Sequence, residues 1–127
     1  MTSDKNYQLG LLYLVHLLIN ADGIVNVNEK KALMKIKSKE GIPDPVFDQF
    51  LVDVTQLKPK EIYQNGIAFI NECEDDVKLR AFVHLYKISE VDGSVHIKEV
   101  RLLLYSMKMV DIEFDDIVEA ASKITDY

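Results

Sequence analysis

Two similar turns in this chain carry side chains whose types and spacing suit metal binding. The stretch ADGIVNVNE at 21–29 returns as VDGSVHIKE at 91–99, and each copy has a glutamate seven residues after an aspartate that precedes a glycine. Carboxylate and amide oxygens bind calcium, magnesium or manganese, and an imidazole also suits zinc. We therefore predict a site for a divalent metal ion. Its predicted ligands are Asp22, Glu29, Asp92 and Glu99, with Asn26 and His96 as auxiliary ligands.

The turns match only the second half of a calcium-binding EF-hand loop. In that half, glycine makes the sharp bend, an aliphatic residue packs inward and the closing glutamate binds calcium through both oxygens. The first opening ligand position falls on Leu18 in one copy and on Ile88 in the other. Because an aliphatic side chain cannot coordinate a cation, the sequence argues against an EF-hand and indicates a short joint between two helices.

Such a joint also has a structural explanation that needs no metal. Gly23 and Gly93 suit the left-handed conformation that ends many helices. Asn26 and Glu29 have the spacing of a capping box, in which two side chains satisfy backbone N–H groups at a helix start. At the level of sequence, both explanations of the repeated turn stay open.

The composition indicates a folded protein, and the absence of catalytic motifs from the sequence favours a protein that is not an enzyme. Hydrophobic residues make up 48% of the chain and charged residues 28%, which is typical of globular domains. Phosphate-binding loops, nucleophile elbows and zinc-protease motifs are absent from the sequence. The net charge of −6 disfavours nucleic acid as a partner, because phosphate binding depends on clustered lysine and arginine.

The cysteine count and the N-terminus favour a cytoplasmic protein. Cys73 is the only cysteine, so no disulfide can form within one chain. The N-terminus lacks the pattern of a signal peptide, and the apolar run at 9–19 is too short to span a bilayer. We therefore expect no transmembrane segment.

Apolar residues recur at helical spacing along nearly the whole chain, so the sequence predicts an all-α fold of about seven helices. The first helix, LGLLYLVHLLI, is apolar on almost every face, as is typical of a central helix. The second places Glu29, Ala32, Leu33 and Ile36 on one face and lysines on the others.

Glycine, proline and acidic residues mark the ends of the predicted helices. Gly41 ends the second helix, and Asp44 is the predicted N-cap of the third, ahead of Pro45. Pro59 opens the fourth helix. An acidic run then predicts that a fifth begins near Asp75.

The second half of the chain repeats the pattern of the first. The turn recurs at an offset of 70 and the apolar stripe of the third helix at an offset of 67. We predict a single domain over 1–127, with an internal repeat at approximately 9–57 and 77–126 joined by the fourth helix. Because tandem duplication tends to bring equivalent turns together about a pseudo-twofold axis, the two anionic turns are expected to lie side by side.

His16 and His84 occupy matching Val-His-Leu triplets in two apolar helices. They lie six and eight residues before their Asp-Gly turns, so they are not equivalent positions of the repeat. A histidine on a mostly apolar helix is more often packed in the core than bound to a metal. We therefore predict packing roles for both.

The segments INADGIVNVNEKKAL and SEVDGSVHIKEVRLL resemble the TerB-like family, which is associated with tellurite resistance. Members of that family are helical and carry A-D-G-x-[IV]-x-x-x-E near the end of a first apolar helix. The resemblance covers nearly all 127 residues. It places the motif on Asp22, Gly23 and Glu29, with a second copy at Asp92, Gly93 and Glu99 in which Val91 replaces alanine.

The resemblance implies a TerB-like helical bundle that is not an enzyme and that handles a metal or assists protein partners in a stress-response complex, in some members beside membrane modules. Tellurite chemistry itself has no support in these residues. Two functions follow, a metal-binding acidic module and a metal-free helical adaptor for protein–protein interaction. The adaptor would use the lysine face of the second helix or an acidic run. That run consists of Asp111, Glu113, Asp115, Asp116 and Glu119.

Overall fold

The computed structural model describes residues 5–19, 27–91, 97–105 and 113–124. Within these ranges the chain is all-α, with seven helices and no β-strand, which confirms the predicted fold class. The helices are α1 (Lys5–Ile19), α2 (Val27–Glu40), α3 (Asp44–Gln56), α4 (Pro59–Asn71), α5 (Asp75–Val91), α6 (Ile97–Tyr105) and α7 (Phe114–Ser122).

The chain divides into two compact units, Met1–Ile70 and Asn71–Tyr127. In the first unit α1 packs against α2 and α3, and in the second α5 packs against α6 and α7. In each unit, therefore, the helix that precedes the Asp-Gly turn contacts the two helices that follow it. The internal repeat and the single domain over 1–127 stay predictions.

The first unit is built around α1. Its residues from Tyr7 to His16 are all buried, and so is Leu18. Full burial of a leucine side chain contributes about 1.5–3 kcal/mol to the free energy of unfolding. The predicted role of this apolar segment as a central helix is confirmed.

Two glycines allow α1 and α4 to approach closely. A Cβ atom on Gly10 would lie 2.9 Å from Cβ of Phe69, and one on Gly66 would lie 3.2 Å from Cβ of Tyr13 and 3.1 Å from Cδ2 of Leu14. Carbon atoms in favourable contact are about 3.5–4.0 Å apart. The two backbones thus pack at a separation that any larger side chain at these positions would disturb.

Helix α2 ends at Glu40, and Gly41 follows it as the predicted helix stop. Gly41 has a φ of 62°, the left-handed conformation that glycine adopts without steric cost. The amide of Ile42 donates to the carbonyl of Lys37 at 2.9 Å, and that of Gly41 donates to the carbonyl of Ser38 at 3.4 Å. These two bonds form a Schellman motif, which satisfies carbonyls at the helix end.

The predicted N-cap of α3 is wrong. Pro43 occupies the N-cap position and Asp44 begins the helix. The Asp44 carboxylate instead lies 2.7 Å from Nζ of Lys37 in α2. The interaction with a neighbouring helix therefore replaces the local capping bond that the sequence alone favoured.

The start of α7 uses part of the acidic run. Glu113 is the N-cap and forms a capping box with Asp116, whose Oδ2 accepts a hydrogen bond of 2.8 Å from the backbone N–H of Glu113. Ile117 and Ala121 are buried on the inner face of this helix. Negative side chains in the first turn also interact favourably with the helix dipole.

Candidate functional site

Glu29 is the one predicted ligand whose side chain lies within the described part of the structure. It stands in the first turn of α2 and is fully buried. Its Oε2 accepts a hydrogen bond from Nδ1–H of His16, in the last turn of α1, and His16 is also buried. A carboxylate and an imidazole from the two helices that flank the first Asp-Gly turn are thus in direct contact.

The apolar pattern of the two helices explains why these side chains meet. Glu29 lies one and two turns before Leu33 and Ile36, both fully buried, so it shares the inner face of α2. His16 lies near the end of the uninterrupted buried run of α1. Packing of one inner face against the other brings both polar groups into the same interior.

A second hydrogen bond joins α1 and α2 at their other ends. The hydroxyl of Tyr7 donates to Oε2 of Glu40 at 2.8 Å. Tyr7 and His16 are nine residues apart, a rise of about 14 Å along α1. Tyr7 at the start of α1 thus contacts Glu40 at the end of α2, and His16 at the end of α1 contacts Glu29 at the start of α2. The two helices are therefore antiparallel and hydrogen-bonded at both ends.

Aromatic side chains surround the contact between His16 and Glu29. The imidazole meets the ring of Phe50 edge-on, with centroids 6.1 Å apart and planes at 77°. Phe50 is itself fully buried and contacts Tyr13 and Phe47 at centroid separations of 6.1 and 6.0 Å. In such apolar surroundings polar interactions are stronger than in water, and the loss of either group is correspondingly costly.

Helix α1 also forms a polar contact with α3. The hydroxyl of Tyr13 donates to Oδ2 of Asp53, and the side-chain amide of Gln49 donates to Oδ1 at 2.7 Å. Burial, followed by the hydrogen bond to Asp53 and by the charge of that carboxylate, raises the pKa of Tyr13 above its usual value. Tyrosine and histidine side chains of α1 thus form polar contacts with α2 and α3.

The other predicted ligands stay untested. Asp22, Asn26, Asp92 and His96 lie outside the described residues, and Glu99 belongs to α6 but its side chain is not described. Within the described ranges, no group of three or more His, Cys, Asp or Glu side chains is placed to hold a metal ion. The expected closeness of the two turns therefore stays a prediction.

His16 and His84, which were predicted to pack in the core, are both buried. The contact of His16 with Glu29 was nevertheless missed. At the repeat offset of 70, Tyr86 is the counterpart of His16. The ring of Tyr86 packs edge-on against that of Phe114 in α7, with centroids 5.9 Å apart and ring planes at 73°. A phenol thus replaces the imidazole in the second unit, although each ring packs edge-on against the third helix of its unit.

Comparisons of the chain with protein-family models, curated proteins and solved structures give no match. The TerB-like resemblance therefore stays an expectation that rests on the residues quoted above. Among the described helices, none is long and apolar enough to cross a membrane.

Proposed function

We propose that this chain is a non-enzymatic, TerB-like stress-response module that binds a divalent metal ion at the turn between α1 and α2. The observation that carries the proposal is the buried contact of Glu29 with His16. A buried ionisable pair adds little stability compared with an apolar pair of the same volume. Its presence at the closing position of the repeated motif therefore favours a role in binding.

The donor types fit a transition metal better than calcium. Imidazole nitrogen and carboxylate oxygen are ligands of zinc and manganese, whereas calcium binds through oxygen alone. Glu29 and His16 would hold the ion together with Asp22 and Asn26 of the same turn. The remaining proposed ligands, from the second turn, are Asp92, Glu99 and His96. When bound, the ion would supply positive charge beside the carboxylates that hold it.

A metal-free helical adaptor is the second candidate. It is compatible with the same contact, because Oε2 of Glu29 is hydrogen-bonded to His16 inside the protein and so has a partner without a metal ion. For both candidates, the metal-binding module and the metal-free adaptor, we propose that the protein acts in the cytoplasm with protein partners, in a stress-response complex at a membrane.

A backbone NMR titration separates the two functions. Metal-stripped protein is titrated with calcium, magnesium, manganese and zinc, and the titration is repeated on Glu29→Gln, on Asp22→Asn/Asp92→Asn and on the exposed control Glu119→Gln. Saturable shifts at the turns that persist in the control and disappear in the other variants support the metal-binding module. Shifts that are absent, or that survive all substitutions, leave the adaptor.

A further inference from the structure

The outward face of α2 carries a basic stripe with apolar side chains within it. Val27, Lys30, Lys31 and Met34 recur at intervals of three and four residues, so they lie along one side of the helix. All four are exposed, Val27 by 71% and Met34 by 46%. These four residues are called the α2 stripe below.

The α2 stripe lies opposite the face that packs on α1. Leu33 and Ile36 are fully buried on that inner face. Both acidic residues of α2 form their bonds with α1, Glu29 with His16 and Glu40 with Tyr7. The outer face is therefore basic, and α2 holds five of the 15 lysine and arginine residues of a chain whose net charge is −6.

We propose that the α2 stripe is a docking surface for an acidic amphipathic helix of a partner protein. Val27 and Met34 are two turns apart, the spacing at which apolar anchors of a helix meet a second helix. The lysines beside them would pair with aspartate or glutamate that borders the apolar side chains of the partner. Methionine adapts to varied apolar surfaces, and charge complementarity speeds and orients association.

An anionic membrane or a nucleic acid fits the α2 stripe less well than a short acidic helix does. The apolar face of α2 is already packed in the core, so only Val27 and Met34 could enter a lipid layer. The net charge of −6 also opposes binding to a charged membrane or to nucleic acid. A short helix interacts mainly with the lysines nearest to it, because electrostatic interactions are screened over about 10 Å at 0.1 M salt.

The test is fluorescence polarisation with a labelled synthetic peptide whose heptads carry leucine at positions a and d and glutamate at positions e and g. The assay contains a chelator, so its result does not depend on whether the turn binds metal. It compares the wild type with Lys30→Glu/Lys31→Glu and with Met34→Ser. The matched control is Lys58→Glu/Lys60→Glu, which alters net charge equally at two exposed lysines in and next to α4.

We expect saturable, salt-sensitive binding to the wild type and to the control. The charge reversal on the stripe should weaken binding about tenfold and Met34→Ser about fivefold. The proposal is overturned if no saturation occurs up to about 1 mM peptide, or if both charge reversals weaken binding equally. Binding to phosphatidylserine vesicles without binding to the peptide also overturns it, as does self-association of the chain that depends on the same lysines.

Discussion

His16 in the last turn of α1 is hydrogen-bonded through Nδ1 to Oε2 of Glu29 in the first turn of α2, and both side chains are buried. This bond joins the two helices at the end next to the Asp-Gly turn, and the bond from Tyr7 to Glu40 joins them at the other end. The register of α2 on α1 is therefore fixed by polar contacts as well as by apolar packing.

Loss of the Glu29 side chain is expected to destabilise the protein strongly. Glu29→Ala leaves a cavity and a buried imidazole without its hydrogen-bond partner, and each buried polar group left unsatisfied costs about 1–3 kcal/mol. Urea unfolding of Glu29→Ala, His16→Ala and the double variant measures the coupling between them. The double variant should lose less stability than the sum of the single losses. Strict additivity would show that the two side chains do not interact energetically.

Substitution of the glycines between α1 and α4 should have unequal effects. A Cβ on Gly10 meets the Cβ of Phe69, which cannot move without its backbone, whereas one on Gly66 meets the flexible end of Leu14 as well as Cβ of Tyr13. Overpacking costs about 1–3 kcal/mol, and alanine regains up to about 1 kcal/mol through helix propensity. Denaturant unfolding should therefore show Gly10→Ala to be destabilised more than Gly66→Ala. The reverse order would contradict the packing described here.

Tyr13 should make stability sensitive to alkaline pH. Because its pKa is raised in the folded state, chiefly by burial, the folded protein keeps a proton that the unfolded chain releases. This contribution is fully present below the usual tyrosine pKa of about 10 and declines as the pH rises above it. Unfolding measured from neutral to alkaline pH should show a shallower decline for Tyr13→Phe. The control is Tyr105→Phe at an exposed position, and equal slopes for both variants would refute the assignment.

The ion pair of Asp44 with Lys37 should stabilise the protein at neutral pH and lose its effect in acid. The hydrogen bond and the charge of Lys37 lower the pKa of Asp44 in the folded state. Its contribution is present above the usual aspartate pKa of about 3.9 and is lost as the pH falls through the folded value. Asp44→Asn should therefore reduce stability at neutral pH and leave it unchanged in strong acid, and added salt should diminish the difference. Asp48→Asn, at another exposed position of α3, serves as the control. The same pH dependence in both variants would contradict a stabilising ion pair between Asp44 and Lys37.

Local patterns were sufficient to predict most of the fold. The segment LGLLYLVHLLI predicted a central helix because no face of it is polar enough for solvent, and α1 is buried accordingly. Gly41 predicted a helix end because glycine alone adopts positive φ readily. Asp44 failed as a predicted cap because Lys37, seven residues earlier, binds its carboxylate across the turn between α2 and α3. A local preference could not anticipate that contact.

The candidate site was predicted only in part. The repeated turn predicts Glu29 as a ligand, but the contact of Glu29 with His16, 13 residues earlier, depends on how α1 packs on α2. One signal was present in the sequence, since Glu29 shares its helical face with Leu33 and Ile36 and must therefore point inward. Periodicity gives the buried face of each helix, but it does not give the register between two helices.

The most direct test of the proposed metal site is to measure whether the imidazole nitrogens of His16 respond to zinc. In an NMR experiment that detects the side-chain nitrogens, metal-stripped protein is titrated with zinc, and Glu29→Gln and the control Glu119→Gln are titrated in parallel. We expect the His16 nitrogens to shift saturably in the wild type and in the control, and to shift little in Glu29→Gln. His16 nitrogens that stay unchanged in folded wild-type protein at saturating zinc would contradict the account.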